Sequence, residues 1–173
     1  LVSEAVLQII TCWEVDYLKL NLGAGNHINE GNGWVNHDLH KHRPEIDVVH
    51  DLNELPWPWD DESASKIEAK NVFEHLDIDL VKVLDECWRI LEPGGTLYIK
   101  VPNAEDPVAV WGDPTHRRPY TLTFVKYFDY KVNDVGFSFY TDRKWKIVDK
   151  GGAGNKNAEG IWKSIFAIME KVK

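Results

Sequence analysis

Apolar residues recur along the chain at two spacings, and the change from one to the other lays out the elements. From Val2 to Trp13 they fall at positions 2, 6, 7, 9, 10 and 13, a helical rhythm that predicts an outer helix within residues 1–16. Tyr17-Leu-Lys-Leu-Asn-Leu22 then alternates with period two and stops at Gly23-Ala24-Gly25, which predicts a strand closed by a tight turn. Trp34–Leu39 and Ile46–Leu52 predict two more short strands, each finishing on an acid followed by leucine, and Lys66–Asn71 predicts a fourth. Between the last two lies Leu55-Pro-Trp-Pro-Trp-Asp60, a loop stiffened by its prolines.

Leu80, Val81, Leu84, Cys87, Trp88 and Leu91 share one stripe and predict a helix, with Asp77 or Asp79 as N-cap and Glu92-Pro93-Gly94-Gly95 as its stop. Thr96–Val101 predicts a fifth strand, closed by Pro102-Asn103. Residues 104–144 follow no period and predict an irregular segment with a short helix near Leu122–Phe128. Trp145–Val148 and Ile161–Met169 predict a late hairpin separated by Gly151-Gly-Ala-Gly154. Strands alternating with crossovers predict an α/β fold around a mostly parallel sheet, the late pair forming an edge.

At 173 residues, with eight Trp, six Tyr and six Phe, the chain is long and aromatic enough for one domain with a real core. The net charge of -8 argues against a general binder of phosphate backbones, so no nucleic-acid partner is expected. That charge is uneven: residues 1–92 hold 7 Lys/Arg against 19 Asp/Glu, residues 93–173 hold 13 against 9. Cys12 and Cys87 sit in apolar surroundings and read as reduced core thiols. No apolar run is long enough to span a membrane, and the start of the chain has no cationic leader, so a cytoplasmic location is expected.

In an open α/β sheet ligands sit beyond the carboxyl ends of the strands. The unusual residues stand at those ends: Gly23-Ala-Gly25-Asn26, Asp38, Asp51-Leu52 and Asn71. Glycines after the first strand let backbone N–H groups approach a ligand anion, an acid after the second can take ribose hydroxyls, and an Asp/Leu pair after the third suits adenine. A dinucleotide fingerprint would need a third glycine where Ile28 stands and an acid about 20 residues on; Asp38 comes too soon, and Gly31-Asn32-Gly33 leaves little room for a helix.

The segments Lys19–Asn26, Trp34–Asp38, Val48–Leu52, Val72–Leu76 and Trp88–Gly95 resemble, in order and spacing, the motifs of class I S-adenosylmethionine-dependent methyltransferases, more narrowly the type 11 domains. The resemblance covers about Leu18 to Asn103. It implies a Rossmann-like three-layer sandwich whose seven-stranded sheet ends in an antiparallel strand. It also implies S-adenosyl-L-methionine as cofactor and S-adenosyl-L-homocysteine as product. Gly23, Ala24, Gly25 and Asn26 would hold the methionine end, Asp38 with Leu39 beside it the ribose, Asp51 and Leu52 the adenine, and Asn71 and Val72 the floor near the sulfonium. The departures are the truncated first helix and Ala24 where the family often has Cys. On this reading residues 17–103 are the cofactor-binding core, 104–144 an insertion covering the acceptor and 145–173 an edge hairpin, all within one domain.

Methyl transfer needs an acceptor aligned on the methyl, and a hydroxyl acceptor also needs a general base. His75, just past the fourth strand, and His116, in the irregular segment, are the candidates. Asp113, Arg117, Arg118 and Tyr120 are candidate contacts for a small, sugar-like or anionic acceptor, because guanidinium forks match phosphate and carboxylate groups. The aromatic cluster Tyr120, Phe124, Tyr127, Phe128 and Tyr130 otherwise reads as core, and Trp57 and Trp59 as packing or a lid edge. His37, His40, His42 and His50 lack Cys or Glu at ligand spacing, so no metal is expected, and Ser63, Ser65, Ser138 and Ser164 lack a nucleophile elbow. Two alternatives stay open: a Rossmann-type nucleotide-binding oxidoreductase, and a non-catalytic module that keeps the fold. The sequence does not give the oligomeric state.

Overall fold

The computed structural model describes residues 17–133 and 140–173. The helix expected over Val2–Trp13, together with Cys12 and Ser138, lies outside them. Seven strands form one sheet: β1 (Leu18–Leu22), β2 (Trp34–Asp38), β3 (Val48–Val49), β4 (Ala64–Lys70), β5 (Leu91–Pro102), β6 (Trp145–Lys156) and β7 (Trp162–Lys171). Their order is β3-β2-β1-β4-β5-β7-β6, parallel from β3 to β5, with β7 antiparallel to both of its neighbours. The chain runs outward from β1 one way to β2 and β3, then back to β4 and β5 on the other side. The gap between β1 and β4 is therefore the switch point, where such sheets open a crevice at their carboxyl ends.

One long helix is present among the described residues, α1 (Leu80–Ile90), in the crossover from β4 to β5. Asp79 caps it by accepting from the Val81 N–H at 2.7 Å. Its buried apolar face is Val83, Leu84, Cys87 and Ile90, rotated from the expected stripe: Leu80, Val81 and Trp88 are only partly buried, and Leu91 lies beyond the helix in extended conformation. Trp88 lies half-buried at the edge, its ring under the Lys171 ammonium (3.9 Å) and the Arg143 guanidinium (4.5 Å). Cys87 is free and fully buried, as expected of a core thiol.

The crossover from β1 to β2 contains no helix at all. A buried pair of asparagines holds it instead. The Asn21 side-chain amide donates to the His27 carbonyl (2.7 Å) and to Asn36 Oδ1 (2.9 Å), and Asn36 in turn makes reciprocal bonds with the backbone of Asn29, each 2.9 Å. Side-chain amides thus satisfy the backbone groups that a helix would satisfy internally.

Three expectations need correction. The third strand is two residues long, not Ile46–Leu52. The fifth begins at Leu91 rather than Thr96, with Glu92–Gly95 absorbed into a bulge where the register with β4 jumps. The glycines at 151–154 lie inside β6, and the hairpin turns at Asn157–Gly160 instead. Gly152 is glycine because Trp162 crosses it on β7: a Cβ there would stand 2.1 Å from the indole ring. Residues 104–133 supply a short helix α2 (Pro107–Trp111) that was not expected, a 3₁₀ turn at Phe124–Phe128 that was, and a last helical turn α3 (Tyr130–Asn133).

Candidate functional site

A cavity of about 290 Å³ opens at the switch point, lined by residues from the ends of four strands. β1 contributes Gly23; β2 contributes His37, Asp38 and Leu39; the segment after β3 contributes His50, Asp51, Leu52 and Asn53; the segment after β4 contributes Asn71, Val72, His75 and Leu76. Seven of the ten residues expected to hold the cofactor meet there, and so does His75. Ala24, Gly25 and Asn26 do not line the cavity: Ala24 is buried, and Asn26 is exposed with its side chain facing Arg43.

The chain must turn sharply at both central strand ends. Gly23 has φ +57° and Asn71 φ +56°, the left-handed region that glycine and asparagine tolerate best. Gly23 has a second reason to be glycine: a Cβ would lie 2.5 Å from Cγ2 of the buried Val72. The expectation that this turn presents its N–H groups to a ligand anion is corrected. Gly23 N–H points at His37 Nδ1 (3.4 Å), Ala24 N–H donates to the His37 carbonyl (2.8 Å) and Gly25 N–H to Asp38 Oδ2 (2.8 Å). With no helix to launch, the turn is pinned to the end of β2.

Asp38 is thereby fixed. Oδ2 accepts from Gly25 and Oδ1 from its neighbour Leu39 (2.7 Å), which leaves each oxygen a further lone pair. Asp51 closes an Asx turn on Asn53, while the Leu52 carbonyl accepts from Trp57 Nε1 at 3.1 Å. Trp57 and Trp59 are both buried packing residues, and the Trp59 ring meets His37 edge to face.

His37, grouped in the sequence with His40, His42 and His50 as lacking metal-ligand partners, contributes to the site in another way. It is buried, and its Nε2 faces the His50 carbonyl at 2.9 Å. A carbonyl only accepts, so the proton sits on Nε2 and Nδ1 is free to accept from Gly23. Burial holds the imidazole below the ordinary histidine range, with the His50 carbonyl opposing. A neutral His37 therefore adds stability that is fully present above pH 6.5 and fades as pH falls toward its lowered value. Urea unfolding at pH 7 and pH 5 should show the wild type losing more stability in acid than His37→Gln. Equal losses would refute the role.

The irregular segment folds over the turn after β4. Arg117 N–H donates to the Glu74 carbonyl (2.7 Å), and Thr115 and His116 pack against His75, the imidazole centroids 4.8 Å apart. The expected acceptor contacts do not line the cavity. Arg118 is spent on the Leu76 and Ile78 carbonyls (2.9 and 2.5 Å), and Arg117 pairs with Asp77 at the surface (3.3 Å). Tyr120 is buried, its hydroxyl donating to the Phe73 carbonyl at 3.2 Å, so it is a core residue. Asp113 holds Thr115 (Oγ1 to Oδ1, 2.6 Å), and that bond keeps its carboxyl below the usual range.

Glu74 is the residue that no reading of the sequence singled out. It is 1% exposed and neither carboxylate oxygen has a hydrogen-bond partner. Burial pushes its pKa up to about 7.

The family model for the methyltransferase domain matches residues 20–99. A Mycolicibacterium smegmatis protein named "Probable S-adenosylmethionine-dependent methyltransferase" is 39% identical over 61 residues, 35% of this chain and 23% of the relative, so the match spans about a quarter of that protein. A chain from the Haloferax volcanii complex of the Trm112 methyltransferase activator superposes with a TM-score of 0.62 at 14% identity, over 97% of this chain and 89% of the other. The SAM-dependent methyltransferase of Archaeoglobus fulgidus gives 0.59 at 15%, over 97% and 92%. At such identities the structures speak to the fold alone. Over residues 20–99, a little under half of its length, the chain is similar to the methyltransferase domain family, and its sheet has the fold of those structures.

Proposed function

We propose that the protein transfers a methyl group from S-adenosylmethionine to a small acceptor. One observation carries the reading: Gly23, Asp38, Asp51, Leu52, Asn71 and Val72 come from four strand ends and meet around a single cavity at the switch point. The residues fit the cofactor chemically. Gly23 keeps the wall open where any side chain would collide with Val72. The oriented Asp38 carboxylate has lone pairs left for two ribose hydroxyls, and Asp51 and Leu52 offer an acceptor oxygen and an apolar surface to the adenine. The bound cofactor supplies the electrophilic methyl and leaves as S-adenosylhomocysteine. The chain's own part is to hold the sulfonium end near Asn71 and Val72 and to admit the acceptor past His75.

Arg117 and Arg118 are engaged elsewhere, so the anionic acceptor loses its expected carriers and a small neutral acceptor is the better reading. The dinucleotide alternative is disfavoured because a pyrophosphate calls for free N–H groups at a helix start, and here the turn after β1 leads to no helix.

Calorimetric titration with S-adenosylmethionine, S-adenosylhomocysteine and NAD tests this directly. Both sulfur ligands should bind and NAD should not; the reverse pattern would overturn the reading. Asp38→Ala should weaken S-adenosylhomocysteine by about 1–3 kcal/mol, roughly 5- to 150-fold. Asp38→Asn, which keeps an acceptor for Gly25, separates ligand contact from local folding. An unchanged affinity in folded Asp38→Ala would remove this residue from the site.

A further inference from the structure

Three side chains at the edge of the cavity are arranged for something that methyl transfer does not require. One donor atom from each of Glu74, His75 and His116 lies within 4.8 Å of the other two. The surroundings fix which atoms are available. His116 Nδ1 faces the Val110 carbonyl at 2.5 Å and must donate to it, leaving the lone pair on Nε2. His75 Nδ1 faces Thr115 Oγ1 at 2.9 Å; that hydroxyl gives its only proton to Asp113, so it accepts from His75, whose Nε2 is likewise left bare. Each imidazole is thus held as the tautomer that presents Nε2, one by a carbonyl and one by a hydroxyl–carboxylate relay. Outer partners of this kind orient histidine ligands in metal sites.

The third group decides between two uses of those lone pairs. A carboxylate assists a general-base imidazole by accepting from its N–H, and here both N–H groups are already given to the Val110 carbonyl and the Thr115 hydroxyl, so Glu74 orients neither ring. Glu74 is 1% exposed with both oxygens unpartnered, and no neighbour donates to it. An orphaned carboxylate is costly to bury, and one proton, whether held by Glu74 or by an imidazole, joins only two of the three groups and leaves the third bare. A cation satisfies all three at once. Asp113 Oδ2, 3.9 Å from His116 Nε2, adds a further negative oxygen on the same side.

We propose that Glu74, His75 and His116 form a binding site for a first-row divalent transition-metal ion. Two nitrogens and one carboxylate oxygen suit zinc, cobalt or iron(II) and leave coordination positions open. Ligands at about 2.0–2.2 Å from such an ion lie no more than about 4.4 Å apart, close to the 4.8 Å within which one donor atom of each residue already lies. The sequence reading expected no metal because it weighed only the histidines at 37, 40, 42 and 50. Among these, His37 is committed to the glycine turn. Because His75 also lines the cavity, an oxygen of a bound acceptor could occupy an open position.

The test is titration of chelator-treated protein with Zn²⁺ and Co²⁺, read by calorimetry and, for Co²⁺, by visible absorption. One ion per chain is expected, with affinity reduced at least tenfold in His116→Ala and in Glu74→Gln and unchanged in the surface control His40→Ala/His42→Ala. Thermal melts in chelator establish that each variant is folded. Glu74→Gln keeps the shape of the side chain, so it preserves the test should His116→Ala fail to fold. Absence of one-to-one binding, or binding insensitive to Glu74→Gln, overturns the site. S-adenosylhomocysteine binding is measured separately in chelator, so loss of this proposal and loss of the methyl-transfer reading give different results.

Discussion

Glu86→Ala is expected to destabilise the protein by about 3 kcal/mol, measured as a shift in urea unfolding free energy. Glu86 lies on the inner side of α1 and is nearly buried. Its Oε1 accepts from the backbone N–H of the buried Trp57 at 2.7 Å and from Arg89 at 2.6 Å, while Oε2 takes a second bond from Arg89 at 3.0 Å. Truncation leaves the Trp57 amide buried without an acceptor, and that orphan alone costs about 1–3 kcal/mol. Arg89 keeps Asp61 and remains partly hydrated, so its loss is smaller than for a fully buried pair. Glu86→Gln, which still accepts from Trp57, should cost about 1 kcal/mol. The effect should reach the cavity as well, because Trp57 Nε1 holds the Leu52 carbonyl. An alanine variant within about 1 kcal/mol of wild type would show that the Pro/Trp loop is held by its aromatic packing rather than by Glu86.

What could be read from the sequence divides along physical lines. Strands β1 and β4 were legible because apolar and polar residues alternate along Leu18–Leu22 and Lys66–Lys70, and β5 because its burial also alternates, while the residues at the strand ends were legible because each has an unusual type for its place. Asp38, Asp51 and Asn71 arrive at the cavity for that reason. The contributors that were missed act through pairing across distance. Asn21 and Asn36 look like ordinary polar strand residues until the fold sets them side by side. His37 carries no local sign that Gly23 and the His50 carbonyl will meet its two nitrogens. Glu74 was hidden inside a motif read for its histidine, and only burial marks it. Arg117, Arg118 and Tyr120 erred the other way: their chemistry fits an acceptor, but 40 residues upstream the chain offers them carbonyls and a carboxylate. The glycines in β6 misled because a Gly-rich run signals a turn unless a bulky neighbour, here Trp162, needs the space.

Gly23→Ala should cost about 2–4 kcal/mol of stability and lower S-adenosylhomocysteine affinity at least tenfold. Two penalties combine. Alanine is strained at φ +57°, by about 1–2 kcal/mol, and its methyl would stand 2.5 Å from one Val72 methyl and 3.2 Å from the other. Val72 is buried and itself lines the cavity, so it can yield only by moving into the space the cofactor would use. The two contributions can be separated. Val72→Ala alone should cost about 1–2 kcal/mol as a small cavity, but it removes both colliding methyls. In the double variant the collision is gone and only the backbone strain remains. Gly23→Ala/Val72→Ala should therefore be more stable than the sum of the single effects by at least about 1 kcal/mol, and should recover most of the lost affinity. Additive energies would mean that Gly23 is required for its backbone angle alone. Coupled energies with no recovery of affinity would mean that the Val72 methyls supply a cofactor contact that alanine cannot replace.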